Sequence, residues 1–266
     1  MRVMVNFLHF SDFHIQKRRG DLKFGVDPCL GLERTIKVAR EMDVNPAFSI
    51  VTGDISQDGS EEGYSIAKEY FQEIEGLGGP VLPAVGNVDG RGNFWRLLLE
   101  GDGEGPCYYS RTVEGIHVVI LDSQTPGGNT GSFGKEQLDW LEEEVGGAPG
   151  PCVVAFHHPV FHMPFLSGEE PPIFDPSDAE RFRGIVAEGR VVGVLCGHLH
   201  QNIVSVEGSV PFVMSGSSFS EVFYPEGQRI LHEASGFNFL SYEGGSLKVR
   251  PVSVSEGRVL LEKGPR

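Results

Sequence analysis

Five apolar runs in this chain each end at side chains of the kind that hold metal ions, and no other feature constrains the fold as much. The blocks are FLHFSDFH, FSIVTGD, VLPAVGN, VVAFHH and VGVLCGHLH; they place Asp12, His14, Asp54, Asn87, His157, His198 and His200 directly after strand-like segments. A single His-x-His or Gly-Asp means little, whereas five such blocks in this order are hard to reach by chance. Side chains two apart on an extended chain point to the same side, so Asp12 with His14, and His198 with His200, are expected to converge as pairs. Gly53, Gly86 and Gly197 precede a ligand or ligand pair, where glycine permits a sharp strand exit and close backbone approach. Open α/β sheets gather ligands beyond the carboxyl ends of their strands, the end at which all five blocks carry their polar residues.

Apolar runs near residues 3–10, 47–52, 81–85, 115–122, 151–156, 191–196 and 210–215 read as strands. Helical spacing predicts helices over about 30–42, from Glu61 to about Glu75, and over about 93–99, 134–145 and 178–187. Ser60 and Gly63 make no capping box, but Glu61 and Glu62 suit a helix N-terminus. The tail FNFLSYEGGSLKVRPVSV alternates around Gly244-Gly245, the signal of a hairpin. The order is β-α-β-α-β and then more β with fewer helices, with no internal repeat or linker. We expect one α/β domain over residues 1–266, with a motif core of about 7–200 and a β-rich part of about 205–266.

The formal charge of −15 argues against sequence-independent nucleic-acid binding, which needs a basic surface. Cys29, Cys107, Cys152 and Cys196 show no Cys-x-x-Cys spacing and read as reduced, buried thiols, which points to the cytoplasm. No apolar stretch approaches the ~20 residues of a membrane span, and the first ten residues read as a strand rather than a leader. A homodimer is compatible with the tail hairpin but nothing demands it.

Seven ligands are too many for one four-coordinate ion, so the count implies two ions, with the two oxygens of Asp54 bridging them. One ion takes Asp12, His14, Asp54 and His200, and the other takes Asp54, Asn87, His157 and His198. Imidazole, carboxylate and amide ligands together suit Mn, Fe or Zn better than Ca. Two divalent ions against two aspartates leave a positive centre in an acidic protein. Such a pair generates a bridging hydroxide and clamps the oxygens of an in-line displacement, so a small phosphate ester is the natural substrate.

These residues resemble the calcineurin-like metallophosphoesterase superfamily, whose motifs match Asp12-Phe13-His14, Gly53-Asp54, Gly86-Asn87-Val88-Asp89, His157-His158-Pro159 and Gly197-His198-Leu199-His200. Length and spacing are most similar to its bacterial class III cyclic-nucleotide phosphodiesterase branch. The resemblance implies a four-layer α-β-β-α sandwich of two mixed sheets flanked by helices, with a dinuclear site at the C-terminal strand ends. It also implies metal-dependent hydrolysis of phosphoric esters, with diesters favoured; a phosphomonoesterase or a non-catalytic scaffold of the same fold are the alternatives. It selects His157 over His158 as ligand and leaves His158 packed or bonded behind it.

The family's usual histidine after the asparagine is Val88 here. Asp54 and Asn87 are expected to act on the substrate phosphate, and Arg91, His162 and His232 are candidates for the missing role. Asp89, without that partner, reads as a hydrogen-bond acceptor in the turn. His9 and His117 read as structural, Phe94 and Trp95 as core, and the Lys17-Arg18-Arg19 run as a solvated loop. The Pro-rich stretch 159–177 reads either as a lid or as an ordinary connection.

Overall fold

The computed structural model describes residues 4–101, 103, 105–161, 173–223, 228–254 and 264–265. Its first half runs β1 (Val5–Phe10), α1 (Pro28–Glu41), β2 (Phe48–Thr52), α2 (Glu61–Glu75), β3 (Val81–Ala84) and α3 (Arg91–Leu98). Next come β4 (Tyr109–Val113), β5 (Ile116–Ile120), α4 (Gly134–Gly146), β6 (Cys152–Ala155), α5 (Pro176–Glu188) and β7 (Val191–Cys196). The last part is all strand: β8 (Ile203–Glu207), β9 (Val210–Met214), β10 (Ser220–Phe223), β11 (Gln228–Glu233), β12 (Ser235–Glu243), β13 (Ser246–Val254) and β14 (Gly264–Pro265).

Two mixed sheets result, in the orders β13-β12-β1-β2-β3 and β4-β5-β6-β7-β9-β8. In the first, the parallel strands β1-β2-β3 run out to one edge and the antiparallel pair β12-β13 closes the other; in the second, the parallel strands β5-β6-β7-β9 lie at the centre and antiparallel β4 and β8 close both edges. Period-2 alternation sends Phe7, Ile50 and Leu82 of the first sheet against Val118, Val153 and Leu195 of the second. The opposite faces are covered by helices. Leu32 and Ile36 of α1 and Tyr64 and Phe71 of α2 cover the first sheet. Leu138 and Leu141 of α4 and Phe182 of α5 cover the second. The four-layer α-β-β-α sandwich is therefore present.

Helix starts follow side-chain caps. Asp27 accepts from the backbone N–H of Cys29 at 2.9 Å and Pro28 takes the first helical position, so α1 begins ahead of the expected Leu30. Asp175-Pro176 repeats this at α5. Ser60 accepts from Gly63 N–H at 3.2 Å, supplying half of the capping box absent from the sequence pattern. The tail hairpin forms as expected, with Gly244 and Gly245 at φ 60° and 90°, the signs a type I′ turn requires. The edge strands β4 and β8 and a small third sheet, β10-β11-β14, were not anticipated; Val204 and Val206 of β8 are exposed, so its pattern is weak. No helix among the described residues is long and apolar enough to cross a membrane, and all four cysteines are buried free thiols.

Candidate metal centre

All seven expected ligands lie just beyond the C-terminal ends of β1, β2, β3, β6 and β7, and they meet at one end of the sandwich. The pairs do not converge through strand alternation. Asp12, His14, Asp54, His198 and His200 all have positive φ, between 49° and 77°. Each is a left-handed turn residue beyond its strand rather than an extended one, and it is this turn that swings the side chain inward. Such a backbone is costly for non-glycine residues and persists only where its surroundings enforce it. Here the enforcement is visible, because the β1 and β2 loops stay in register: Asp12 N–H donates to Gly53 O (3.0 Å), His14 N–H to Asp54 O (2.8 Å) and Ile15 N–H to Ile55 O (2.9 Å). At Gly197 a Cβ would meet Asp12 Oδ2 at 2.6 Å, so only glycine lets the β7 loop approach.

Two groups of titratable side chains result, and Asp54 faces both. Its Oδ2 lies 3.5 Å from His14 Nε2 and its Oδ1 lies 3.4 Å from His157 Nε2. On one side, His14 Nε2 and His200 Nε2 sit 3.0 Å apart, with Asp12 Oδ1 at 3.8 Å and 3.4 Å from them. On the other, Asn87 Oδ1 is 3.0 Å from both His157 Nε2 and His198 Nδ1. The outward ring nitrogens are engaged: His14 Nδ1 with Gln57 Oε1 (2.8 Å), His157 Nδ1 with Thr52 O (2.7 Å) and His200 Nδ1 with Ser220 Oγ (2.8 Å). Partners behind the ring fix its orientation and leave the inward nitrogen for an ion.

Asp12 tests whether ions fit. Its Oδ2 accepts from His198 N–H at 3.0 Å, while Oδ1, fully buried and turned to the two imidazoles, has no hydrogen-bond partner. An orphaned buried carboxylate oxygen is costly unless a cation meets it. The electrostatics agree. Burial pushes His14 and His198 down to about 3 and about 4, so both are neutral bases at pH 7. Burial alone would lower His157 too, but the Asp54 carboxylate outweighs it and raises the ring to about 9. Burial would raise Asp12 and Asp54; the imidazoles of His200 and His157 outweigh it and hold both carboxyls well below the usual range.

The remaining candidates are distributed differently. Arg91 is not brought to the cluster: its Nε and Nη2 pair with both oxygens of buried Asp122 at 2.7 and 2.9 Å, and Nη2 also donates to Gln124 O. His232 sits on β11 beside Leu231, whose side chain lines the cleft, so alternation turns His232 to the other face, against Phe223. His162 and most of the Pro-rich stretch lie outside the described residues. Asp89 is the acceptor expected, taking hydrogen bonds from Ser56 N (2.9 Å), Gly86 N (2.8 Å) and Tyr64 OH (2.8 Å). Burial, with the Asp54 charge nearby, pushes it up to about 6. His9 bonds Thr52 Oγ1 and His117 bonds Glu144, both structural. Phe94 is core, and Trp95 packs against it. Lys17, Arg18 and Arg19 each pair with surface carboxylates.

Sequence reasoning missed the groups behind the cluster: Thr52, Gln57, Ser123, Gln124 and Ser220. Gln124 Nε2 donates to Gly86 O (2.7 Å) and Asp89 O (2.8 Å), holding the loop that carries Asn87. Ser123 and Gln124 follow the apolar run of β5, so the rule that found the ligands would have found them as well. The cluster opens on a cleft of about 310 Å³ whose walls include Lys23, Val88 and Leu231.

Two His/Asp groups able to hold ions, sharing a carboxylate beneath a small cleft, define a dinuclear metal-dependent hydrolase. Residues 5–202 match the family model for calcineurin-like phosphoesterases, and the chain belongs to that family. A probable cyclic nucleotide phosphodiesterase of Rhodococcus erythropolis is 28% identical over 239 residues, covering 88% of this chain and 78% of the relative. A 3′,5′-cyclic adenosine monophosphate phosphodiesterase of Pseudomonas aeruginosa is 30% identical over 221 residues, covering 80% and 76%. Among solved structures, a dimetal phosphatase from Danio rerio aligns with a TM-score of 0.59 at 14% identity, covering 92% of this chain and 98% of that one, a likeness of fold.

Proposed function

We propose that this protein is a phosphodiesterase acting on small diesters, with Asp12, His14, Asp54 and His200 holding one ion and Asp54, Asn87, His157 and His198 the other. The observation that carries this reading is Asp54, whose two oxygens face the two groups. Bound there, Mn, Fe or Zn ions supply a hydroxide nucleophile at neutral pH and offset charge on the phosphoryl oxygens. The chain's own work is preorganisation. Thr52, Gln57 and Ser220 hold the imidazoles, and the Val88 backbone N–H donates to Asp54 Oδ1 at 3.1 Å, steadying the shared carboxylate. Asn87 and Asp54 border the cleft where a phosphate would dock.

Three observations bear on the substrate, and the last of them favours diesters over monoesters. Val88 stands where the family has a histidine, so help to a poor leaving group is reduced and ions alone must serve. The cleft volume suits a small ester. The two similar bacterial proteins carry phosphodiesterase names. Free buried thiols favour a cytoplasmic setting. The test is turnover of Mn²⁺-loaded protein on bis(p-nitrophenyl) phosphate beside p-nitrophenyl phosphate. Faster turnover of the diester is expected; preference for the monoester would overturn the diester reading, and no turnover on either would overturn the enzymatic one.

A further inference from the structure

We propose that His158 is an additional nitrogen ligand of the second ion, completing a three-imidazole face with His157 and His198. The proposal rests on the two-ion assignment above. His158 is fully buried, and its Nε2 has no hydrogen-bond partner. Its other nitrogen is occupied: Nδ1 lies 2.9 Å from Ser123 Oγ, which also accepts from the His158 backbone N–H at 3.1 Å. With Nδ1–H donating to Ser123, Nε2 carries a bare lone pair inside the protein, the tautomer that binds metals.

Ring spacing is compatible with a shared ion. One ligand nitrogen from each of His157, His158 and His198 lies within 4.8 Å of the other two. Imidazole nitrogens bind an ion at about 2.1 Å, and with each ring centre roughly 1 Å further out, two rings on one ion have centres roughly 4.5–5.2 Å apart. The pair His14–His200, on the first ion, has a separation of 5.0 Å, as does His157–His198 on the second. His158 meets the same standard, at 5.0 Å from His157 and 4.6 Å from His198. Neighbours in a strand would point to opposite faces, but His157 and His158 lie in a bend beyond β6, where adjacent rings can converge. A nitrogen ligand more on this ion leaves it with one position fewer for water or substrate, and makes the two ions unequal in affinity and electrophilicity.

The test is equilibrium titration with Co²⁺, followed by visible absorption, of the wild type and of His158→Gln and His158→Phe. Thermal melts of the metal-free proteins check folding. Loss of the ligand is expected to weaken the second ion by more than the roughly ten- to hundredfold that losing a partner behind a ligand costs, leave the first unchanged, and alter the absorption of the second Co²⁺ alone. Ser123→Ala, which leaves the ring in place and frees its tautomer, is expected to weaken the second ion several-fold. Two ions bound by the wild type, with affinities and spectra unchanged in all three variants, overturn the proposal alone and assign the orphan nitrogen to a water. A wild type that binds a single ion overturns the two-ion assignment and this proposal with it.

Discussion

Gln124 offers a quantitative test of the idea that this centre is organised from behind. Its amide N–H₂ donates to the carbonyls of Gly86 and Asp89 at 2.7 and 2.8 Å, on either side of Asn87. Gln124→Ala leaves both carbonyls without that donor. Each such bond contributes about 1 kcal/mol net, so the loss is about 2 kcal/mol. Unfolding entropy near 2.1 cal/mol/K per residue gives about 0.56 kcal/mol/K for 266 residues, so the melting temperature should fall by roughly 4 °C. If about half of that energy serves to hold the Asn87 loop in its metal-ready position, the second ion weakens roughly fivefold. Circular-dichroism melts of the metal-free protein and Mn²⁺ titrations measure the two effects separately. Gln124→Glu is the sharper variant, because it keeps the size and replaces the donor with an acceptor facing two acceptors. A glutamate variant that melts with the wild type and binds the second ion as tightly would refute the reasoning.

Asp54→Ala removes the side chain whose two oxygens face the two groups; it is expected to bind neither ion and to reduce hydrolysis to background, as metal analysis of the purified protein and a turnover assay would show. Val88→His places an imidazole at the cleft wall, and is expected to raise turnover of esters with poor leaving groups more than of nitrophenyl esters; an unchanged ratio means that another group already fills that role. Metal loading should release a proton. His157, raised to about 9 by Asp54, holds its proton in the metal-free protein below that pH and must lose it to bind an ion, so this ring contributes about one proton per protein at pH 7 and none well above pH 9, on top of any proton given up by water at the ions, and the count should fall by about one between the two. Calorimetry in buffers of different ionisation enthalpy reads that number directly, and zero at pH 7 would contradict it.

The ligand set was legible because strand ends announce themselves: an apolar run followed at once by Asp, Asn or His is a local pattern, and parallel sheets bring such ends together. The manner of convergence was not. Asp and His tolerate the left-handed region better than most residues, but the identities of Asp12, His14, His198 and His200 do not decide between it and an extended backbone; that conformation is enforced by pairing between the β1 and β2 loops and by the close approach of Gly197, all long-range contacts. The groups behind the ligands divide the same way. Ser123 and Gln124 obey the strand-end rule, but serine and glutamine are weak metal ligands and give no metal signal, whereas Gln57 and Ser220 reach His14 and His200 from loop and ribbon positions with no periodic signal. Arg91 shows how the partner of a chemically apt residue goes unseen in sequence, since Asp122 lies 31 positions away and accepts from Nε and Nη2 of the guanidinium. His158 shows the reverse. Beside His157 in sequence it reads as packed or bonded behind the ligand, and only three-dimensional placement reveals a buried Nε2 without a hydrogen-bond partner, in a ring grouped with the imidazoles of His157 and His198. Local pattern therefore identifies which side chains can bind, while the protonation state and direction of each nitrogen are set by neighbours distant in the chain. Those neighbours are where variants should change metal affinity without touching a ligand.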